Sequence, residues 1–595
     1  MPQREEKNMT PRTQWSPGPA AWQDDLKPLP RSEWSDDRAA HLLAHAGFGG
    51  TPEDIEKLAD LGLERAVESL VHYERIPNPK MQPFVESGLW DPTLEHFPDS
   101  RPTATDRAEA TGTSMGVDVK PSGNRPMQPV SDRFFYWLRA SMLETRRLGY
   151  WWANRMLKST HPVEEKMALL WHGHFATHEN KVRDYRKMHQ QIELFERYAT
   201  GNLRDLTIEV AKNPAMLYFL DAQYNVKGAP NENFAREVME LFTMGVGNYT
   251  EKDVREGARG FTGWYFDNLT FKVDPEKHDD APKTFLGRTG NFDGVDMLKI
   301  VFEQPVTAEF LAGKIYEFLV RDEISPALRK QLGTVLRNAD YEVKPLLTAI
   351  FTSKDFYCAA SYGGHIKSPV EHMVAMMKHL GAPSMPGVPD FNQSTIALGQ
   401  HLLNPPSVAG WAGGKAWITP GLLIERGNIA RDVLIPDMTG FRDWNFNAGS
   451  DNVLGQRLRD GYDIGAATAV NDPAKMSEFD RVALERDEKF NTRISGYIGW
   501  EQAARKLIPT PRDAARFDLT AMVLESGAKT ATDAVDYLTS RMLRVPAAPE
   551  TREALVAFLA KELGTENIDR ARTYMEDPLR MTVHLVMSTP EYQIV

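Results

Sequence analysis

The sequence predicts an all-α fold, a large multi-helix globular body with a minor β-hairpin or irregular excursion near residues 264–287. Three observations predict it. Segments with apolar residues at helical spacing follow one another from Asp36 onward, many opened by a capping residue. Hydrophobic residues make up 42% of the 595, enough for an extensive core. Aromatic and β-branched residues flanking a turn signal, here Asp267-Asn268, read as strand in one stretch.

The elements are justified in order along the chain. Residues 1–34 carry Pro11, Pro17, Pro19, Pro28 and Pro30 with little periodicity, and read as a disordered or loosely docked arm. A single helical body is expected over 35–595. Arg38, Leu42, Leu43 and Ala46 have helical spacing, and Phe48-Gly49-Gly50 stops that segment. Thr51 and Pro52 then supply an N-cap and first-turn pair, with Asp54 at the third position. Residues 76–130, rich in Pro, Gly, Ser and Thr, read as a loop insertion resting on the body. Beyond Ser131 helices are expected over 163–173, 181–199, 202–212, 214–221, 231–244 and 250–262. After the β excursion they resume over 293–303, 306–320, 325–338, 342–353 and 366–380. A second insertion is expected at about 436–500, followed by helices to about 590.

Composition excludes several function classes. Lys+Arg number 70 against 82 Asp+Glu, a formal net charge of −12, and no basic stripe offsets it, so nucleic acid is not an expected partner. Cys358 is the sole cysteine, which rules out an intramolecular disulfide and a thiolate metal cluster. No apolar run approaches the roughly 18 residues of a membrane span. The polar, proline-rich first 30 residues contain no apolar core of a secretory signal, so a cytoplasmic location is the default expectation. The signatures of phosphate loops, dinucleotide folds, serine hydrolase elbows and zinc proteases are absent.

Three segments stand out by length and composition. The first runs from Glu165 to Thr177 and includes Lys166, Trp171, His172, Gly173 and His174. The second runs from Asn231 to Gly245, followed by Tyr249-Thr250-Glu251-Lys252-Asp253 and by Ala258 to Trp264. The third set joins His278-Asp279 and Lys283-Thr284 with Lys367-Ser368-Pro369, Pro405-Pro406 and Gly410-Trp411. Together they resemble the bacterial family catalogued as domain of unknown function 1800, over about Arg38 to Trp417 and more weakly to the C-terminus. The resemblance implies a possible sulfatase-like or phosphatase-like partner protein, and an exported location for many members; this chain departs from the latter by lacking an export signal.

Read as chemistry, the first segment offers His172 and His174 as ligands of a divalent metal. Histidines two apart on a helix diverge by about 200°, so this requires the helix to end near Trp171 and Gly173 to bend the chain. The alternative is that one ring bonds a buried carbonyl while the other packs. In the second segment Glu232, Arg236 and Glu240 fall on one helical face, and Asn233 and Glu237 are four apart. They form either a salt-bridge ladder or a site in which Glu237 and Glu240 are catalytic carboxylates and Arg236 and Asn233 hold substrate. His278 and Asp279 in the excursion are the other catalytic candidates, with Lys283 and Trp264 as substrate contacts; a solvated charged turn is the plain reading. Trp151, Trp152, Trp171, Trp264, Trp411 and Trp417 could line a sugar-binding cleft or fill the core.

The expected function is a hydrolase-like enzyme with a polar His/Glu cleft, possibly metal-dependent. The rivals are a non-catalytic scaffold or partner of a sulfatase-like protein, and a carbohydrate-active helical protein using paired glutamates and tryptophans.

Overall fold

The computed structural model describes residues 17–79, 81–90, 128–436 and 492–595. It is a mostly helical body, and strands form only two two-stranded sheets among the described residues. The predicted insertions at 76–130 and 436–500 lie largely outside those residues, as do residues 1–16.

Helix starts follow local chemistry. Thr51 and Asp54 cap each other's backbone before the helix Pro52–Asp60, and Thr250 and Asp253 do the same before Glu251–Gly260. Five helices matter most below: α1 (Asp36–Ala46), α2 (Gln128–Lys158), α3 (Pro162–His174), α4 (Pro369–His379) and α5 (Pro420–Leu434). α2 has 31 residues, about 46 Å of helix, and packs against the helix Thr492–Lys506. One hydrophobic cluster runs through the body from Leu29 to Tyr592, and a small second one gathers Leu89, Trp137 and Trp500 beside α2.

Two predicted helices differ in detail. The segment 181–199 breaks at Arg183, whose φ of +54° is left-handed, and Asp184 caps the new helix Tyr185–Arg197. The segment 231–244 is α-helical only over Glu232–Glu237 and then widens into a π-helical turn, Val238–Thr243. At its end Met244 N–H reaches back five residues to the Met239 carbonyl.

The β excursion holds two hairpins instead of one. β1 (Trp264–Asp267) pairs antiparallel with β2 (Thr270–Val273), and β3 (Lys283–Phe285) with β4 (Arg288–Gly290). The second turn uses Leu286 and Gly287, both at positive φ, which suits the twist of a tight hairpin.

Residues 17–34 are docked more firmly than their prolines predict. Gly18 N–H donates to the Tyr357 carbonyl, Leu29 N–H to Thr352, and Lys354 and Asp355 N–H return to Lys27 and Asp25. The anchor is fully buried Asp355, which accepts from Asp24 N–H (2.7 Å), Tyr316 Oη (2.5 Å) and Arg321 Nη2 (2.9 Å). Asp355→Asn leaves buried Arg321 with only the longer contact to Asp24, at 3.5 Å, to offset its charge. We expect a loss of about 3–5 kcal/mol, read as a lower urea midpoint with unchanged slope.

Candidate functional site

The structure disperses the histidines predicted to share a metal. α3 runs on through His174, so the bend at Gly173 does not form. His172 Nε2 accepts from Leu403 N–H at 3.0 Å, and its ring sits among Trp152, Phe195 and Trp411. Burial pulls its pKa down to about 3. His174 Nε2 donates to the Phe242 carbonyl at 2.9 Å, and burial lowers it to about 4. The two rings thus serve different elements on opposite sides of α3. Among the described residues, no three His, Cys, Asp or Glu side chains converge as a metal-binding group.

The carboxylate ladder is also rearranged. Arg236 holds Glu232 (3.3 Å) and Glu251 of the next helix (2.7 Å), while Glu240 accepts from Tyr249 Oη at 2.5 Å. The π turn accounts for this, because extra residues per turn rotate Glu240 off the line of Arg236. Glu237 has no hydrogen-bond partner among the described residues, and burial followed by the charge of Glu240 raises its pKa. Asn233 is exposed.

The His278 loop folds against the end of the helix Glu251–Gly260. His278 Nδ1 donates to the Thr262 carbonyl (2.8 Å), and Asp279 is clasped by Arg259 at 2.7 Å. That hydrogen bond holds the Asp279 carboxyl down at about 2. Lys283 is buried and donates to the carbonyls of Asp279 and Ala281, and Trp264 is buried against Phe261 and Phe271. Among the described residues, no hydrogen bond or ion pair links this loop to Glu237 or Glu240. Trp152, Trp171 and Trp417 are core, while Trp151 and Trp411 are half-buried. A surface groove of about 310 Å³ beside Trp151 has Arg147 paired to Glu144 and Arg155 set between Glu165 and Glu196.

A different set of ionisable side chains does converge. The turn after α1, the middle of α3, the start of α4, Arg544 and Val595 enclose a small cavity of about 20 Å³. That is room for a water or little more. Gly49, at φ +80°, closes one wall, and a Cβ there would come within 3.2 Å of His379 Nε2. At the centre Glu371 receives Lys166 Nζ, Ser368 N–H at 2.7 Å, and His365 Nε2 at 3.3 Å from both oxygens. Burial alone would raise this carboxyl, but the charges of Lys166 and His365 hold it well below the usual carboxylate range. His365 is raised on balance: burial lowers it, and Glu371 and Asp322 more than offset that. Its Nδ1 lies 3.6 Å from Asp322 Oδ1, at a half-exposed position.

Lys367 lies on the same cavity and is 3% exposed. Its ammonium sits 4.1 Å from the centre of the Tyr592 ring and donates no hydrogen bond to a described residue. Burial, then the positive charges of Arg426 and Arg544, lower it to about 7. Arg426, fully buried, donates to the Lys367 carbonyl at 2.7 Å and so fixes this stretch of backbone. Nearby His45 Nε2 is buried without a hydrogen-bond partner among the described residues.

Sequence reasoning quoted Lys166 and Lys367-Ser368-Pro369 as pattern and passed over their chemistry. Two signals were available: a lysine inside the apolar run of α3, and the Ser368/Glu371 capping box, whose glutamate serves both the cap and the pocket.

For the sequence-predicted pair, Glu237→Gln should melt at or slightly above the parent. It removes a carboxylate disfavoured beside Glu240, a gain of no more than about 0.5 kcal/mol at this half-exposed position. The gain is present at neutral pH and disappears as pH falls through the ordinary carboxylate range, where the parent's glutamate is protonated in both states. A melting series from pH 3 to 8 checks it.

The family model described as Protein of unknown function (DUF1800) matches residues 41–594. No curated protein matches the chain, and no solved structure does. The match takes in every side chain of the pocket from Lys166 to Arg544 and nearly all of the chain, which therefore belongs to the DUF1800 family.

Proposed function

We propose that this protein is a hydrolase-like acid–base enzyme whose centre is the Lys166–Glu371–His365–Lys367 pocket, in place of the Glu237/Glu240 pair. The observation that carries the reading is Lys367, a buried amine that faces the cavity and donates no hydrogen bond to a described residue. An amine lowered to about 7 is divided between its neutral and charged forms at physiological pH, the condition a general base or acid needs. Glu371, kept ionised, fixes Lys166 and His365. His365 reaches from that carboxylate toward Asp322, whose Oδ1 lies 3.6 Å from Nδ1, so closing that gap by a water or a small ring shift would give a proton a way out.

A second reading has one observation in its favour. Lys166, Glu371 and His365 satisfy one another, as a purely structural brace in a scaffold or partner protein would.

The test is hydrolysis of p-nitrophenyl acetate, phosphate and sulfate by the parent and by Lys367→Met. We expect turnover by the parent that rises with pH through about 7, and a loss of roughly 10²–10⁴-fold in the variant. Absence of turnover on every ester, or equal turnover in the variant, favours the brace.

Lys367→Met should also be more stable than the parent. The parent's ammonium is disfavoured in the folded state, so its folded pKa lies below its unfolded one. The penalty is complete below pH 7 and fades as pH rises toward 10.5. At about 1.4 kcal/mol per pKa unit, the fall from 10.5 to about 7 sets a gain of up to about 5 kcal/mol at pH 6 that is gone near pH 10.5, measured by urea denaturation.

A further inference from the structure

The charge balance of the pocket identifies what it takes. Lys166, Lys367 and Arg544 line it, Arg544 Nη2 already donating to the Ser540 and Arg541 carbonyls, and Arg426 stands close enough to lower Lys367. Glu371 is the one acidic side chain lining it, and that carboxylate is engaged by Lys166 and His365. Among the described residues lining the pocket, cationic side chains outnumber carboxylates. A buried ammonium is costly unless an anion or a set of acceptors faces it, and Lys367 faces an aromatic ring and the cavity. An aromatic face offsets part of that cost and leaves the donors of Nζ unused.

We propose that the pocket seats the small oxyanion group of a substrate or product, a carboxylate or phosphoryl end, on Lys367. This rests on the reading above for its catalytic meaning, but the binding itself is separable from turnover. The oxyanion supplies the acceptor that Lys367 lacks, and charge-assisted hydrogen bonds to it are the strong kind. The cavity, of about 20 Å³, admits the tip of a molecule and excludes a sugar ring, so the rest of the substrate stays outside. Glu371 sits beside the seat as a fixed negative charge, so a monoanion meets less repulsion there than a dianion.

The experiment uses the full chain and inorganic phosphate, with acetate as the carboxylate probe and chloride at matched ionic strength as control. Binding is followed by calorimetry for the parent, Lys367→Met and Lys367→Arg, each checked for folding by circular dichroism. We expect saturable binding of phosphate or acetate to the parent, at least tenfold weaker in Lys367→Met and within a few-fold of the parent in Lys367→Arg. Lys367→Gln repeats the comparison if the Met variant does not fold. Equal binding in the neutral variant places the ion elsewhere and overturns the inference, as does a parent response no larger than that to chloride. Oxyanion binding that needs Lys367, without hydrolysis of any ester, upholds the inference and sinks the enzyme reading. Lys367-dependent hydrolysis that neither phosphate nor acetate inhibits does the reverse.

Discussion

The pairing of Lys166 with Glu371 is the interaction on which the rest of the centre depends. Both side chains are almost wholly removed from water, and they come from α3 and α4, more than two hundred residues apart in sequence. Either charge alone in that interior is prohibitive, so the two helices are obliged to meet at this point. Glu371 also caps its own helix through Ser368 and faces His365, which ties the direction of α4 to the location of the charge. Lys367, adjacent to the cap, is carried into the cavity by the same geometry, and Arg426 on α5 pins its carbonyl. Lys367 lies in the loop just before that cap, and the helices around it keep its amine buried.

The fold was legible because its helix boundaries are local chemistry. Thr51-Pro52, Asn213-Pro214 and the Thr250/Asp253 box can be read without knowing what lies across the core. The break at Arg183 and the π turn at Val238–Thr243 were not legible. Each is decided by what the segment packs against, with no proline or glycine to announce it.

The site was less legible for a related reason. Sequence pattern reveals residues that share a helical face, such as Glu237 and Glu240, and gives no weight to residues brought together from positions 166, 365, 367, 371 and 544. Visible spacing favoured side chains that proved to be committed locally: Arg236 to Glu251, Asp279 to Arg259, and His174 to a backbone carbonyl. Lys166 was visible only as a lysine among apolar neighbours, a clue whose meaning depends on finding its partner.

The line from Asp322 through His365 to Glu371 has an electrical consequence. Asp322 touches solvent while Glu371 does not, and one imidazole reaches toward both. A single ring therefore separates the solvent at Asp322 from the carboxylate that holds Lys166. A change of charge at Glu371 is felt by that ring and, beyond it, by the Asp322 carboxylate, because opposite charges this close interact strongly away from bulk water.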